Sequence, residues 1–147
     1  MGTQFRAGQR LTAALLTIDN TQVEDTTSRT TTATTYGNAS GGAFSASVTV
    51  PASGQVLVEI RSTQRNSTTN NSITSWTATG SVSGTVYTAN DTAALIVNGV
   101  QNNSLDLSYR LTGLSVGETL TVTTQHKVNA ASTGTFDYRL ILLTGMP

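Results

Sequence analysis

The sequence predicts an all-β protein, a single antiparallel β-sandwich of about eight strands behind an N-terminal arm. Three observations carry this expectation. Threonine is the most abundant residue, and its branched Cβ disfavours helices and fits a pleated, half-buried surface. From residue 43 onward apolar and polar residues alternate with period two, the mark of strands with one face in a core. Turn residues punctuate that alternation at roughly 8–12-residue intervals, as in sandwiches and barrels.

The first twenty residues differ. In "RLTAALLTID", Leu11, Ala14, Leu15 and Ile18 fall at helical spacing, one apolar stripe on one face. Thr12 is placed to cap this helix and Asp19-Asn20 to end it. Two turns are too short for a helix to stand alone, so the segment needs a surface to dock on. Phe5, Leu11, Leu15 and Ile18 are its docking side chains.

Residues 21–42, "TQVEDTTSRTTTATTYGNASGG", read as a Thr-rich extended connector with one strand near "TTTATTY" and Tyr36 as its large anchor. The arm and connector thus cover 1–42, and the sandwich covers 43–147.

Within the sandwich, "AFSASVTV" sets Phe44, Ala46, Val48 and Val50 on one face, and Pro51 ends the strand. "QVLVEIRSTQ" turns Val56, Val58 and Ile60 inward and Glu59 and Arg61 outward. A polar loop, "RNSTTNNS", precedes "ITSWTATGSV", and Gly80 and Gly84 mark turns or bulges. "GTVYTA" and "TAALIVN" are short strands. "SLDLSYRL" alternates Leu105, Leu107, Tyr109 and Leu111 against Asp106, Ser108 and Arg110. "ETLTVTTQHKV" puts Leu120, Val122, Thr124, His126 and Val128 on one face. The last strand, "TFDYRLILLT", places Phe136, Tyr138, Leu140 and Leu142 together, yet Ile141 and Leu143 make its other face apolar too. A strand greasy on both faces belongs inside a sheet or between subunits.

Composition narrows the function. Charged residues are only 11% and the net charge is +0. Nucleic acid and anionic membranes need clustered basic residues, and the arginines here are scattered. Near-zero net charge disperses a free monomer poorly and favours assembly. With no cysteine, disulfides and thiolate metal sites are excluded. The apolar run near the N-terminus is too short to span a bilayer, and no signal-peptide cleavage pattern follows it. Synthesis in a cytoplasm is therefore the expectation.

Catalysis finds little support. His126, the single histidine, has no acid or G-x-S-x-G nucleophile patterned beside it. It reads as a rung at a sheet edge or subunit contact. Glu59, Asp106 and Asp137 fall on outward positions beside Arg61, Arg110 and Arg139, which suits cross-strand charge pairing better than a glycosidase pair. No cofactor fingerprint or metal-binding spacing appears. Trp76 reads as packing, with a sugar-stacking platform as the alternative.

Three segments, "FRAGQRLTAALL", "SVTVPASGQVLVEIRS" and "YRLTGLSVGETLTVTTQHKVNAASTGTFDYRLILLTGMP", together resemble small structural proteins of tailed bacteriophages of actinobacteria. In that family a short arm precedes a jelly roll of the TNF and C1q type. The resemblance implies a non-enzymatic virion component, a homotrimer whose axis is lined by apolar and aromatic side chains. Tyr109, Phe136, Tyr138 and Leu140 are the candidates for that interface. It implies a capsid decoration protein docked through its arm on the major capsid protein or another virion protein. A tail-fibre or tail-tip module binding host carbohydrate through Trp76 and Tyr87 is the alternative.

Overall fold

The computed structural model describes residues 19–147. The arm side chains Phe5, Leu11, Leu15 and Ile18, and the short helix expected there, lie outside the described residues. Ten strands occur among those described: β1 (Asn20–Asp25), β2 (Arg29–Thr31), β3 (Ser45–Thr49), β4 (Val56–Asn66), β5 (Asn71–Gly80), β6 (Gly84–Tyr87), β7 (Leu95–Asn98), β8 (Asn103–Leu111), β9 (Thr119–Val128) and β10 (Gly134–Gly145). They make two antiparallel sheets packed as a sandwich. One runs β1-β10-β4-β8, with β2 also on β10; the other runs β3-β9-β5-β6, with β7 also on β5.

Alternation does the folding work in the first half of each long strand. Val56, Val58 and Ile60 of β4 lie beside Ile141 and Leu143 of β10 in the same sheet and face Leu120 and Val122 of β9 across the sandwich, each at most 1% exposed. Each such side chain contributes about 1.5–3 kcal/mol through burial. At the turn between β3 and β4, Gly54 adopts a positive φ of 66°. A Cβ there would lie 2.9 Å from the Leu114 carbonyl oxygen, so the close approach of these two loops requires glycine.

Two expectations change. Residues 21–42 hold two strands rather than one, and the strand expected near 30–36 is the short β2, which ends at Thr31. The chain pairs with β10 twice, as β1 and as β2, and so extends the sheet back to Asn20. Period-two burial is present in β1, where Thr21, Val23 and Asp25 point inward, but Val23 is its one large apolar side chain and the signal is faint. Tyr36 lies outside this sheet, where its hydroxyl donates to Asp91 Oδ1 at 2.6 Å beneath the Lys127 ammonium.

The second change concerns β10. Its register against β4 slips between Phe136 and Tyr138, a β-bulge that inserts Asp137 as an extra residue and reverses the facing of everything after it. Phe136 therefore points into the core while Tyr138, Leu140 and Leu142 point out. Arg139, Ile141 and Leu143 take the inward places. Asp137 is held at the bulge by the Ser28 hydroxyl at 2.7 Å, the Asn102 amide at 2.9 Å and an ion pair with Arg65.

Candidate interaction surfaces and a buried polar relay

The bulge shapes one outer surface. On the outer face of the first sheet, Tyr138, Leu140 and Leu142 form a half-buried apolar stripe along β10. Leu140 lies opposite Arg61 of β4, and Arg61 opposite Asp106 of β8. On the other flank Leu140 lies opposite Glu24 of β1. The result is a groove of about 350 Å³ with an apolar floor and walls bearing Glu24, Glu59, Arg61 and Asp106. Of the four residues expected at a subunit interface, Tyr138 and Leu140 share this floor. Phe136 does not: it is fully buried, its ring 4.3 Å from that of His126, and it has no surface to offer a second copy.

Tyr109 sits elsewhere, on β8 at the edge of the sandwich, and is 39% exposed. It leans on an aromatic cluster. Tyr87 of β6 stacks on Trp76 with centroids 3.9 Å apart and planes at 8°. Tyr109 closes the group at 5.4 Å from Trp76 and 5.1 Å from Tyr87. Leu105 and Leu107 continue the half-covered apolar surface along β8. Trp76 itself is 0% exposed, and Tyr87 occupies one of its faces. A sugar ring has no access to it in this structure. Trp76 and Tyr87 are thus brought together as the inner wall of an apolar edge.

One end of the molecule is braced by Glu118. This carboxylate, 3% exposed, accepts the backbone N–H groups of Val82, Ser83 and Ser115 and the Ser83 hydroxyl. The Ser83 backbone and hydroxyl donors, with the other two N–H groups, hold its pKa down at about 2. The loops after β5 and β8 are thereby clamped together, with Val82 and Val116 exposed at their tips.

The second half of the interior is polar, and it holds His126. That residue is a strand rung as expected, but on β9 in the middle of its sheet, fully buried rather than at an edge. The Thr74 hydroxyl donates to Gln64 Oε1 at 2.7 Å. Its single proton is then committed, so His126 Nδ1, 3.0 Å away, must be the donor to Thr74. Nε2 keeps its lone pair, facing Arg139 Nη1 at 3.4 Å. Arg139 also donates from Nη2 to Asp25, which pairs with Arg29 at 3.1 Å. Gln64 Nε2 ends the relay on the carbonyl oxygens of Ser72 and Leu95. A chain of hydrogen bonds, donated outward from Arg139 in both directions, thus links β1 to β7 across both sheets.

This chain needs a neutral imidazole. Burial, and secondarily the Arg139 charge, lower the His126 pKa from 6.5 to about 3. Burial pushes the Asp25 carboxyl up, but hydrogen bonds from Arg139, the Thr27 backbone and Arg29 outweigh it and bring the pKa well below the ordinary range. With the folded-state pKa of His126 depressed, the unfolded chain binds the extra proton between pH 6.5 and 3. Stability is therefore complete above pH 6.5 and is lost as pH falls. The slope approaches about 1.4 kcal/mol per pH unit for one proton. Urea unfolding from pH 7 to 5, above most carboxylate titration, should show this decline, and His126→Phe should remove it. An imidazole NMR resonance titrating near pH 6.5 in the folded protein would contradict the assignment.

Sequence reading missed this relay because its parts lie far apart in the chain. The one available signal was an arginine, Arg139, inside an otherwise apolar strand. Among the described residues no cluster of three His, Asp or Glu side chains is arranged to hold a metal ion. The chain matches no protein-family model and no curated protein.

Proposed function

We propose that this chain is a non-enzymatic structural protein of a bacteriophage particle, a homotrimeric capsid decoration protein fastened to the shell through its N-terminal arm. The observation that carries the reading is the pair of separate apolar patches: the Tyr138–Leu140–Leu142 stripe on a sheet face and the Tyr109–Leu107–Leu105 strip on an edge. Two different patches on one chain suit a heterologous contact, edge of one copy on face of the next, and such contacts close into rings when the rotation permits. The strand orders β1-β10-β4-β8 and β3-β9-β5-β6 support a jelly-roll connectivity for the sandwich. So does the position of the arm. Residue 19 leaves the first sheet beside the end of β10, where the Asp19 carbonyl accepts the Gly145 N–H at 2.8 Å. Each copy therefore issues its arm from the same end of the sandwich, and three arms per trimer make attachment multivalent.

Particles assembled with a chain lacking residues 1–18 test the attachment. The expected result is loss of the chain from particles while its circular dichroism stays that of a β-sandwich. Full occupancy by the truncated chain would sink the arm mechanism. A tagged chain found only at the tail tip would favour the appendage reading.

A further inference from the structure

We infer that in the free protein residues 1–18 occupy the groove on the outer face of their own first sheet, and that they leave it when a shell partner takes them. This rests on the proposed docking and self-association, and it specifies how the two are coupled.

Charge is divided unevenly along the chain. Residues 1–18 carry Arg6 and Arg10 and no acid, so with a net charge of +0 the remainder has a net charge of −2. Part of that excess lines the groove: Glu24, Glu59 and Asp106 stand against the single Arg61. None of the three acids forms an ion pair with a described residue. Between them lies the apolar floor of Tyr138, Leu140 and Leu142. A segment that is basic and apolar by turns, with Leu11, Leu15 and Ile18 one helical turn apart, complements a groove that is acidic at the rim and apolar at the base.

Continuity supplies the rest. The chain enters β1 at Asn20, and Gln22 and Glu24 of the same strand already line the groove. At about 3.3 Å per residue the groove begins roughly 7–13 Å from the point of entry. Eight residues of helix span about 12 Å, so the segment reaches the floor with chain to spare. Tethering makes the encounter intramolecular and favours it over any weak contact in solution. The floor it covers is half of the proposed trimer contact. An arm in its groove holds free copies apart, and an arm transferred to the shell uncovers the face where neighbours are already gathered.

The test reads groove access in the full chain. The protein has no cysteine, so Ser108→Cys on the groove wall introduces a unique thiol. Its reaction with a small maleimide is followed at a concentration where sedimentation shows single copies, with and without Arg6→Glu/Arg10→Glu. Those two changes lie outside the described residues. The expected result is a rate at least about tenfold faster in the charge-reversed chain, a change equivalent to about 1.4 kcal/mol of lost arm docking. Equal rates would overturn the inference while leaving the trimer reading standing. If the rate rises yet neither chain associates at high concentration, the inference holds and the trimer reading fails.

Discussion

Replacing Trp76 with alanine should lower the unfolding free energy by about 3–5 kcal/mol, the range for removing a large aromatic from a core. Trp76 is 0% exposed at the centre of β5. Its loss leaves Tyr87 without the ring it stacks on at 3.9 Å, and Tyr109 without the edge contact that orients it. Domains hold only about 5–15 kcal/mol in total, so the variant should sit near the limit of folding at 37 °C. Denaturant titration followed by far-ultraviolet circular dichroism measures this without relying on the lost fluorophore. A cost below about 0.5 kcal/mol, the ordinary range for a surface change, would mean that the side chain is not the wall of a packed edge. A folded variant with weakened self-association would further tie this cluster to the Tyr109 patch.

The second large effect is expected at Arg139. Substitution by methionine keeps the length and apolar stem but removes the guanidinium that binds Asp25 and faces His126 Nε2. Breaking a buried pair by deleting one partner costs about 3–5 kcal/mol, because the other charge is left without compensation. Arg29 remains beside Asp25, but it is partly exposed and more easily screened. The combined Arg139→Met/Asp25→Asn chain should lose clearly less than the sum of the two single changes, as expected for groups in direct contact. Additive losses would show that the pair contributes nothing as a unit. Removing the guanidinium also removes one of the two causes that depress the His126 pKa, so in Arg139→Met the folded protein should protonate His126 at a higher pH and the stability lost through this group on acidification should be smaller.

The all-β fold was legible because alternation is a local property. In β4 and β9 every inward residue can be read from its neighbour two positions away, and the structure buries the faces that this spacing names; in β8 the same spacing buries Leu111 but leaves Leu105 and Leu107 half-buried and Tyr109 exposed. β1 was hidden, and β2 was expected a few residues too late, because their partner, β10, lies more than a hundred residues later. Pairing with a strongly apolar strand lets a weak sequence become a strand. The grouping of Phe136 with Tyr138, Leu140 and Leu142 failed for a different reason. One inserted residue, Asp137, inverts the period, and its partners Ser28, Arg65 and Asn102 come from three separate segments. Phe136 was grouped with Tyr138 by simple parity, and the bulge separates them into core and surface. For the candidate surfaces, sequence named Tyr109, Tyr138 and Leu140 but not that they form two patches. That division depends on sheet order, which local spacing does not encode.

Sedimentation equilibrium at high concentration tests the central claim most directly, using chains in which Arg6→Glu/Arg10→Glu leaves the groove open, with no further change, with Leu140→Lys or with Tyr109→Ser. If a face of one copy meets an edge of the next, the open-groove parent forms trimers and each further variant alone stays single. An equimolar mixture of the two further variants should then form one-to-one pairs, because one retains the edge and the other retains the face. An open-groove parent that remains a single copy at every concentration, or a mixture that never pairs, would contradict the account.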